Sequence, residues 1–170
     1  MKRIILSVLL IFSLTACSLQ QNMNSELFFK RFIKYDNSIS VNNSFYDNNS
    51  FVCYALYHNA DVIFTISEDK DQNIKKINLT CSNTDKINEF ADCSESIIKI
   101  YAPDDNSKII TENLFKTENI NNEFIYYDTQ WYTYSTFLSD DGLYFSVSGK
   151  KLSPESKVEL SLKQNDIIEY

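Results

Sequence analysis

Apolar residues recur at steps of three and four positions in two segments of the chain, and this spacing predicts two amphipathic helices. The first begins near Ser25, whose hydroxyl is a suitable N-cap, and its apolar stripe runs to Tyr35. The second covers about 84–101, with one continuous apolar stripe, and Pro103 stops it.

Between these helices the pattern changes to the two-residue alternation of β-strands. Three such runs, at 51–57, 61–67 and about 76–81, predict an antiparallel meander with one buried face. The segment 36–50 is rich in Asn and Ser, so it predicts a loop, with a short strand around 39–41 as an addition.

A second β-region follows the long helix. Segments 131–138 and 143–148 alternate and are joined by two aspartates and Gly142, which predicts a hairpin whose glycine is free to take a positive φ. The weaker patterns are a short helix at 108–115, a strand at 123–127 and a tail from 153 that fits an edge strand or a short helix.

The order of these elements predicts an α+β domain over residues 25–170. We expect an antiparallel sheet of about five to seven strands, with the 84–101 helix packed on one face and a further helix at the N-terminus. The apolar fraction of 44% is that of a packed domain.

The N-terminus has the pattern of a targeting signal. Lys2 and Arg3 precede an apolar run at 4–14, which is shorter than the roughly 20 residues needed to span a bilayer. It ends in Leu14, Thr15, Ala16 and Cys17, a sequence that resembles the lipobox of bacterial lipoproteins. An ordinary signal peptide and an uncut anchor helix are the alternatives.

The lipobox resemblance implies that residues 1–16 are removed and that Cys17 carries a diacylglyceryl lipid, the only non-protein group expected. Residues 17–24 would then be a tether, and the domain would lie in the cell envelope. In a diderm host Ser18 is compatible with the outer membrane, and in a monoderm host the protein would occupy the outer face of the cytoplasmic membrane.

Charge limits the classes of partner. The formal charge of −7 becomes −9 when the two basic residues of the signal are removed, leaving 14 basic and 23 acidic residues. Such a balance disfavours nucleic acid and direct binding to anionic headgroups. The membrane is therefore expected to be contacted through the lipid.

Three cysteines remain after Cys17 is assigned to the lipid, in a compartment that permits disulfides. Cys81 lies on the apolar face of its strand and Cys93 beside the apolar stripe of the helix, so they could form a disulfide where helix meets sheet. The alternatives are two buried thiols, or a pairing that involves Cys53. No C-x-x-C spacing occurs and the chain has one histidine, so no metal site is expected.

Reactive groups for catalysis are few. His58 is the single histidine, and Cys53 is the thiol that it might activate, but no G-x-S-x-G nucleophile setting is present. The aspartate pairs 69/71, 104/105 and 140/141 fit solvated turns better than calcium ligands or an acid–base pair. No catalytic residue is assigned, although a surface-tethered hydrolase stays as an alternative function.

The most suggestive feature is the concentration of aromatic residues around the second hairpin. Trp131, Tyr132, Tyr134 and Tyr144 are the predicted binding face for an envelope protein, a peptide or a glycan, because such side chains provide contact area at low entropic cost. Alternation sets Tyr132 and Tyr134 on one face and Trp131 and Phe137 on the other, and one of these faces must be the core. The sequence thus favours a non-enzymatic binding module.

Overall fold

A computed structural model describes residues 23–116 and 122–150. The predicted signal, nearly all of the predicted tether and the tail from 153 lie outside these residues. The helices are α1 (Ser25–Tyr35), α2 (Ile87–Tyr101), preceded by a 3₁₀ turn at Thr84–Lys86, and α3 (Ser107–Leu114). The strands are β1 (Ile39–Asp47), β2 (Ser50–Tyr57), β3 (Ala60–Glu68), β4 (Ile74–Cys81), β5 (Phe124–Asp128), β6 (Tyr132–Ser139) and β7 (Gly142–Gly149).

The described strands form one antiparallel sheet of seven, in the order β1-β2-β3-β4-β7-β6-β5. Two meanders therefore meet at the pairing of β4 with β7, where Cys81 lies opposite Leu143 and Lys76 opposite Ser148. The predicted α+β class and strand number are confirmed. So are both amphipathic helices, the second of which packs on one face of the sheet as expected.

The core lies between this face and the helices. Phe28 and Phe32 of α1 are fully buried, and the ring of Phe32 meets that of Phe64 on β3 edge to face at 5.5 Å. From α2, Phe90 and Ile97 are likewise inaccessible to solvent. Each such side chain contributes about 1.5–3 kcal/mol through removal of apolar surface from water.

The start of the domain differs slightly from the prediction. Asn24 is the N-cap of α1, since its Oδ1 accepts from the backbone N–H of Leu27 at 2.9 Å. Ser25 is buried instead, and its N–H and Oγ both donate to Oε1 of Glu68, at 2.7 and 2.6 Å. Met23 is also buried, and its carbonyl accepts from the N–H of Ile74 at 2.9 Å. The packed domain thus includes Met23, two residues before the predicted boundary.

The predicted loop at 36–50 is wrong for most of its length. Strand β1 occupies Ile39–Asp47, at the edge of the sheet, and eight of its nine residues are exposed. A register shift between Val41 and Asn43 interrupts the alternation. A strand with so little burial has no apolar periodicity, so its sequence resembles that of a loop.

Two tight turns have backbone φ angles that their residue types do not predict. The β2–β3 turn has positive φ at both His58 (43°) and Asn59 (67°), as the two central residues of a type I′ turn do. Gly142 does not take a positive φ. A Cβ there would lie 3.3 Å from the carbonyl oxygen of Cys81, so the glycine permits close approach of β7 to β4.

Candidate binding site

The face of the sheet opposite the helices carries most of the exposed aromatic rings. On one side, Phe45 of β1 stacks on Tyr54 of β2 with 6.3 Å between ring centroids. On the other, Phe124 of β5 contacts Phe137 of β6 at 4.9 Å and Tyr144 of β7 at 6.0 Å. We call this surface the open face.

Four of these rings belong to a single row that crosses the sheet. Strand pairing places six residues side by side across the sheet. In order, they are Tyr54, Ile63, Thr80, Tyr144, Phe137 and Phe124. Because neighbouring strands are about 4.8 Å apart, Tyr54 and Tyr144 stand roughly 14 Å apart with the two smaller side chains between them. The row therefore forms a depression with an aromatic wall at each side.

A groove of about 600 Å³ follows this depression, at the end of the sheet where β3 begins and β4 ends. We call it the row groove. Its volume lies within the usual range of ligand sites, about 300–1,000 Å³. The side chains that line it from the open face include Tyr54, Asp61, Ile63, Thr80, Phe137 and Tyr144, and Asp141 of the β6–β7 turn borders it.

A chain of hydrogen bonds fixes one wall of the row groove. The hydroxyl of Tyr144 donates to Oδ1 of Asn78 at 2.8 Å and accepts from Nζ of Lys76 at 3.2 Å. The same Nζ lies 6.0 Å from the Tyr144 ring centroid. Neighbours on β4 thus hold the Tyr144 ring in place.

A second, polar cavity of about 440 Å³ lies between α2, the end of α1 and the end of β2. Tyr57 and Ser96 donate to Oδ2 of Asp36, at 2.5 and 3.0 Å. Burial acts to raise the pKa of Asp36, but these hydrogen bonds and one from the Ser38 backbone lower it overall. Burial, followed by the charge of Glu95, raises the pKa of Asp92 at the same cavity. These contacts join the elements around the cavity.

No family model matches this chain, and neither the curated proteins nor the solved structures contain a match to it. Among the described residues, no helix is long and apolar enough to cross a membrane.

The four residues of the predicted binding face do not lie on one face of the sheet in the structure. Tyr134 is fully buried on the helix side, where its hydroxyl donates to Oδ2 of Asp105 at 2.6 Å, and Tyr132 packs beside it. Only Tyr144 belongs to the open face. Trp131 is 37% exposed but precedes β6, at the end of the strand away from the row groove. Tyr54 on β2 and Phe137 take the places expected for Tyr132 and Tyr134.

The histidine–cysteine pair is not assembled. His58 is exposed in the β2–β3 turn, with its ring against Tyr57. Cys53 is fully buried on β2, five residues before His58, a separation of up to about 16 Å along the extended chain. Burial raises the pKa of the Cys53 thiol to about 11. A thiol in that state is a poor nucleophile at neutral pH.

The three cysteines of the described residues are all buried free thiols, so the disulfide predicted between Cys81 and Cys93 is not formed in this structure. The Sγ of Cys81 instead lies 3.4 Å from the carbonyl oxygen of Asn83. Burial raises the pKa of both thiols. They pack here as small apolar side chains do.

The aspartate pairs have separate roles. Oδ1 of Asp69 accepts from the N–H groups of Asp71 and Asn73, each at 2.9 Å, which closes a turn. Oδ2 of Asp105 accepts from Tyr134 and from Thr129. Within 23–116 and 122–150 no group of three or more potential metal ligands is found.

Proposed function

We infer that the protein is a lipid-anchored component of the cell envelope that binds a partner through the row groove. The observation that carries the binding function is the row of four aromatic side chains across the open face. Those rings leave apolar surface accessible in a concave site of ligand size, and such surface marks interaction sites in soluble domains.

The anchor rests on the lipobox resemblance at Leu14–Cys17. A lipid on Cys17 would hold the domain at the outer membrane of a diderm cell, or at the outer face of the cytoplasmic membrane of a monoderm cell. The acidic charge of the chain supports a partner other than nucleic acid. An envelope protein, a peptide or a glycan fits this location.

Binding is favoured over hydrolysis by the chemistry of the row groove. Its lining combines aromatic, aliphatic, hydroxyl and carboxylate groups but includes neither His58 nor a described thiolate of lowered pKa. Aromatic rings held by neighbouring side chains suit recognition, because little side-chain entropy is lost when a ligand packs on them.

Replacement of Cys17 tests the anchor. Cys17→Ala should abolish incorporation of labelled fatty acid and move the protein out of the membrane fraction, because the attached acyl chains supply the membrane affinity. Ser18→Ala, the adjacent substitution, should leave both properties unchanged. Retention of label by the Cys17 variant would contradict the lipid assignment.

Photocrosslinking in intact cells tests the binding surface. A photoreactive phenylalanine derivative at Tyr54 should give a discrete adduct, and the same residue at Tyr35 should not. Tyr35 is the matched control, since it is also an exposed tyrosine but lies on α1 in the helix layer. Equal adducts from both positions, or none from Tyr54, would exclude the row groove as the binding surface.

A further inference from the structure

The charged side chains that line the row groove are both carboxylates. Asp61 at the start of β3 and Asp141 in the β6–β7 turn border it, and no lysine, arginine or histidine of the described segments lines it. Both aspartates are exposed. The ion pairs found among the described residues involve other carboxylates, so these two are available to an external cation.

The positions of the two carboxylates suit one ligand group. Asp61 is the second residue of β3, Asp141 directly precedes β7, and β4 separates these strands. Two strand spacings correspond to about 10 Å. A cationic side chain between them would therefore be within a few ångströms of a carboxylate on either side.

An ammonium group of the chain itself, that of Lys76, contacts one of the aromatic rings that line the groove. The Nζ of Lys76 lies 6.0 Å from the Tyr144 ring centroid and donates to the hydroxyl of that ring. Cation–π attraction operates within about this distance. Tyr54, on the opposite wall, has a ring of the same type, and its exposed fraction of 42% leaves it accessible.

We propose that the row groove binds a basic peptide segment, with one lysine or arginine side chain between Asp61 and Asp141 and the neighbouring residues of the peptide on the rings of Tyr54 and Phe137. Charge complementarity decides in favour of this ligand, because a neutral glycan would leave the two carboxylates without a counter-charge. The inference rests on the proposed function and specifies the class of its ligand.

Selection from random octapeptides displayed on phage, with the full chain as bait, tests the proposal. The recovered peptides should be enriched in lysine or arginine. Synthetic versions should bind several-fold more weakly when norleucine, which has no charge, replaces the basic residue. Binding should also weaken when salt rises from 0.05 to 0.5 M, as expected for exposed charges.

Variants of the protein test whether Asp61 and Asp141 supply the attraction for the basic peptide. Asp61→Asn combined with Asp141→Asn should weaken peptide binding about tenfold, because each exposed carboxylate–cation pair is worth roughly two- to fivefold. Asp140→Asn is the matched control: it removes the same charge from the same turn but does not line the groove. It should change binding less than twofold.

Different results would contradict the basic-peptide proposal and the proposed function. Enrichment of peptides without basic residues, binding of neutral cell-wall oligosaccharides in their place, or equal affinity of the double variant would overturn the basic-peptide proposal. The Tyr54 crosslink would still support a binding site in those cases. Failure to select any peptide while the crosslink remains would overturn only the basic-peptide proposal, whereas absence of the Tyr54 crosslink would overturn the proposed function itself.

Discussion

The contact between Tyr134 and Asp105 should be one of the polar contacts on which the stability of the domain depends most. The tyrosine is fully buried, its hydroxyl donates to Oδ2 of Asp105 at 2.6 Å, and Thr129 donates to the same oxygen at 2.8 Å. Burial, reinforced by the hydrogen bond to Asp105, raises the pKa of Tyr134 well above its ordinary value. The hydroxyl therefore remains a donor throughout the neutral range.

Asp105→Ala should lower the free energy of unfolding by about 2–4 kcal/mol. One hydrogen bond to a carboxylate contributes about 1.5–3 kcal/mol, and leaving a buried hydroxyl without an acceptor adds to the loss. Tyr134→Phe should cost less, about 1–2 kcal/mol, because the half-buried carboxylate can regain water. The double variant should therefore be more stable than the sum of the single losses predicts, by about 1–2 kcal/mol.

Urea unfolding followed by Trp131 fluorescence measures all three variants. Asp104→Ala is the control, because Asp104 is the exposed neighbour and should change stability by less than about 0.5 kcal/mol. Single losses that add to within about 0.5 kcal/mol would refute the coupling. An Asp105→Ala loss below about 1 kcal/mol would refute the structural importance of the contact.

Three further predictions concern other sites. Replacing His58 and Asn59 by Asn and Gly should raise the free energy of unfolding by about 1 kcal/mol, since both positions have positive φ and Asn-Gly favours this turn; a lower urea midpoint would contradict it. The pKa of Asp36 is lowered below its ordinary 3.8, so the carboxylate stabilises the fold above that pH and the contribution is lost as pH falls through the lowered value. The stability gap between wild type and Asp36→Asn should thus narrow from pH 5 to pH 2, and a constant gap would exclude this role. Gly142→Ala should cost about 1–2 kcal/mol by thermal unfolding, because the new Cβ would press on the Cys81 carbonyl at 3.3 Å; an unchanged midpoint would show that β4 can yield.

The sequence predicts those parts of the fold that bury one face. Strands β2, β3, β4 and β7 alternate regularly because every second residue enters the core, and α2 has its apolar stripe for the same reason. Strand β1 buries one residue of nine, so nothing in its sequence distinguishes it from a loop. Its formation depends on pairing with β2, which is a tertiary constraint.

Of the predicted binding face, Tyr144 lies on the open face of the sheet, whereas Tyr134 is buried on the helix side. Alternation separates Tyr134 from Phe137, yet it cannot tell which of the two the helices cover. The groove also depends on the pairing of Thr80 with Tyr144, residues more than sixty positions apart. That pairing brings Tyr54 into the same row, and no local pattern in the sequence indicates it.

The position at which the chain enters the domain limits how far the row groove can lie from the membrane. The carbonyl of Met23 accepts a hydrogen bond from the N–H of Ile74 at the start of β4, and the row groove lies at the other end of that strand, seven residue steps or about 23 Å away. Under the proposed lipid anchor at Cys17, the six residue steps to Met23 can add at most about 20 Å. A partner fixed more than about 45 Å from the lipid surface would stay out of contact, however tightly the groove could hold it.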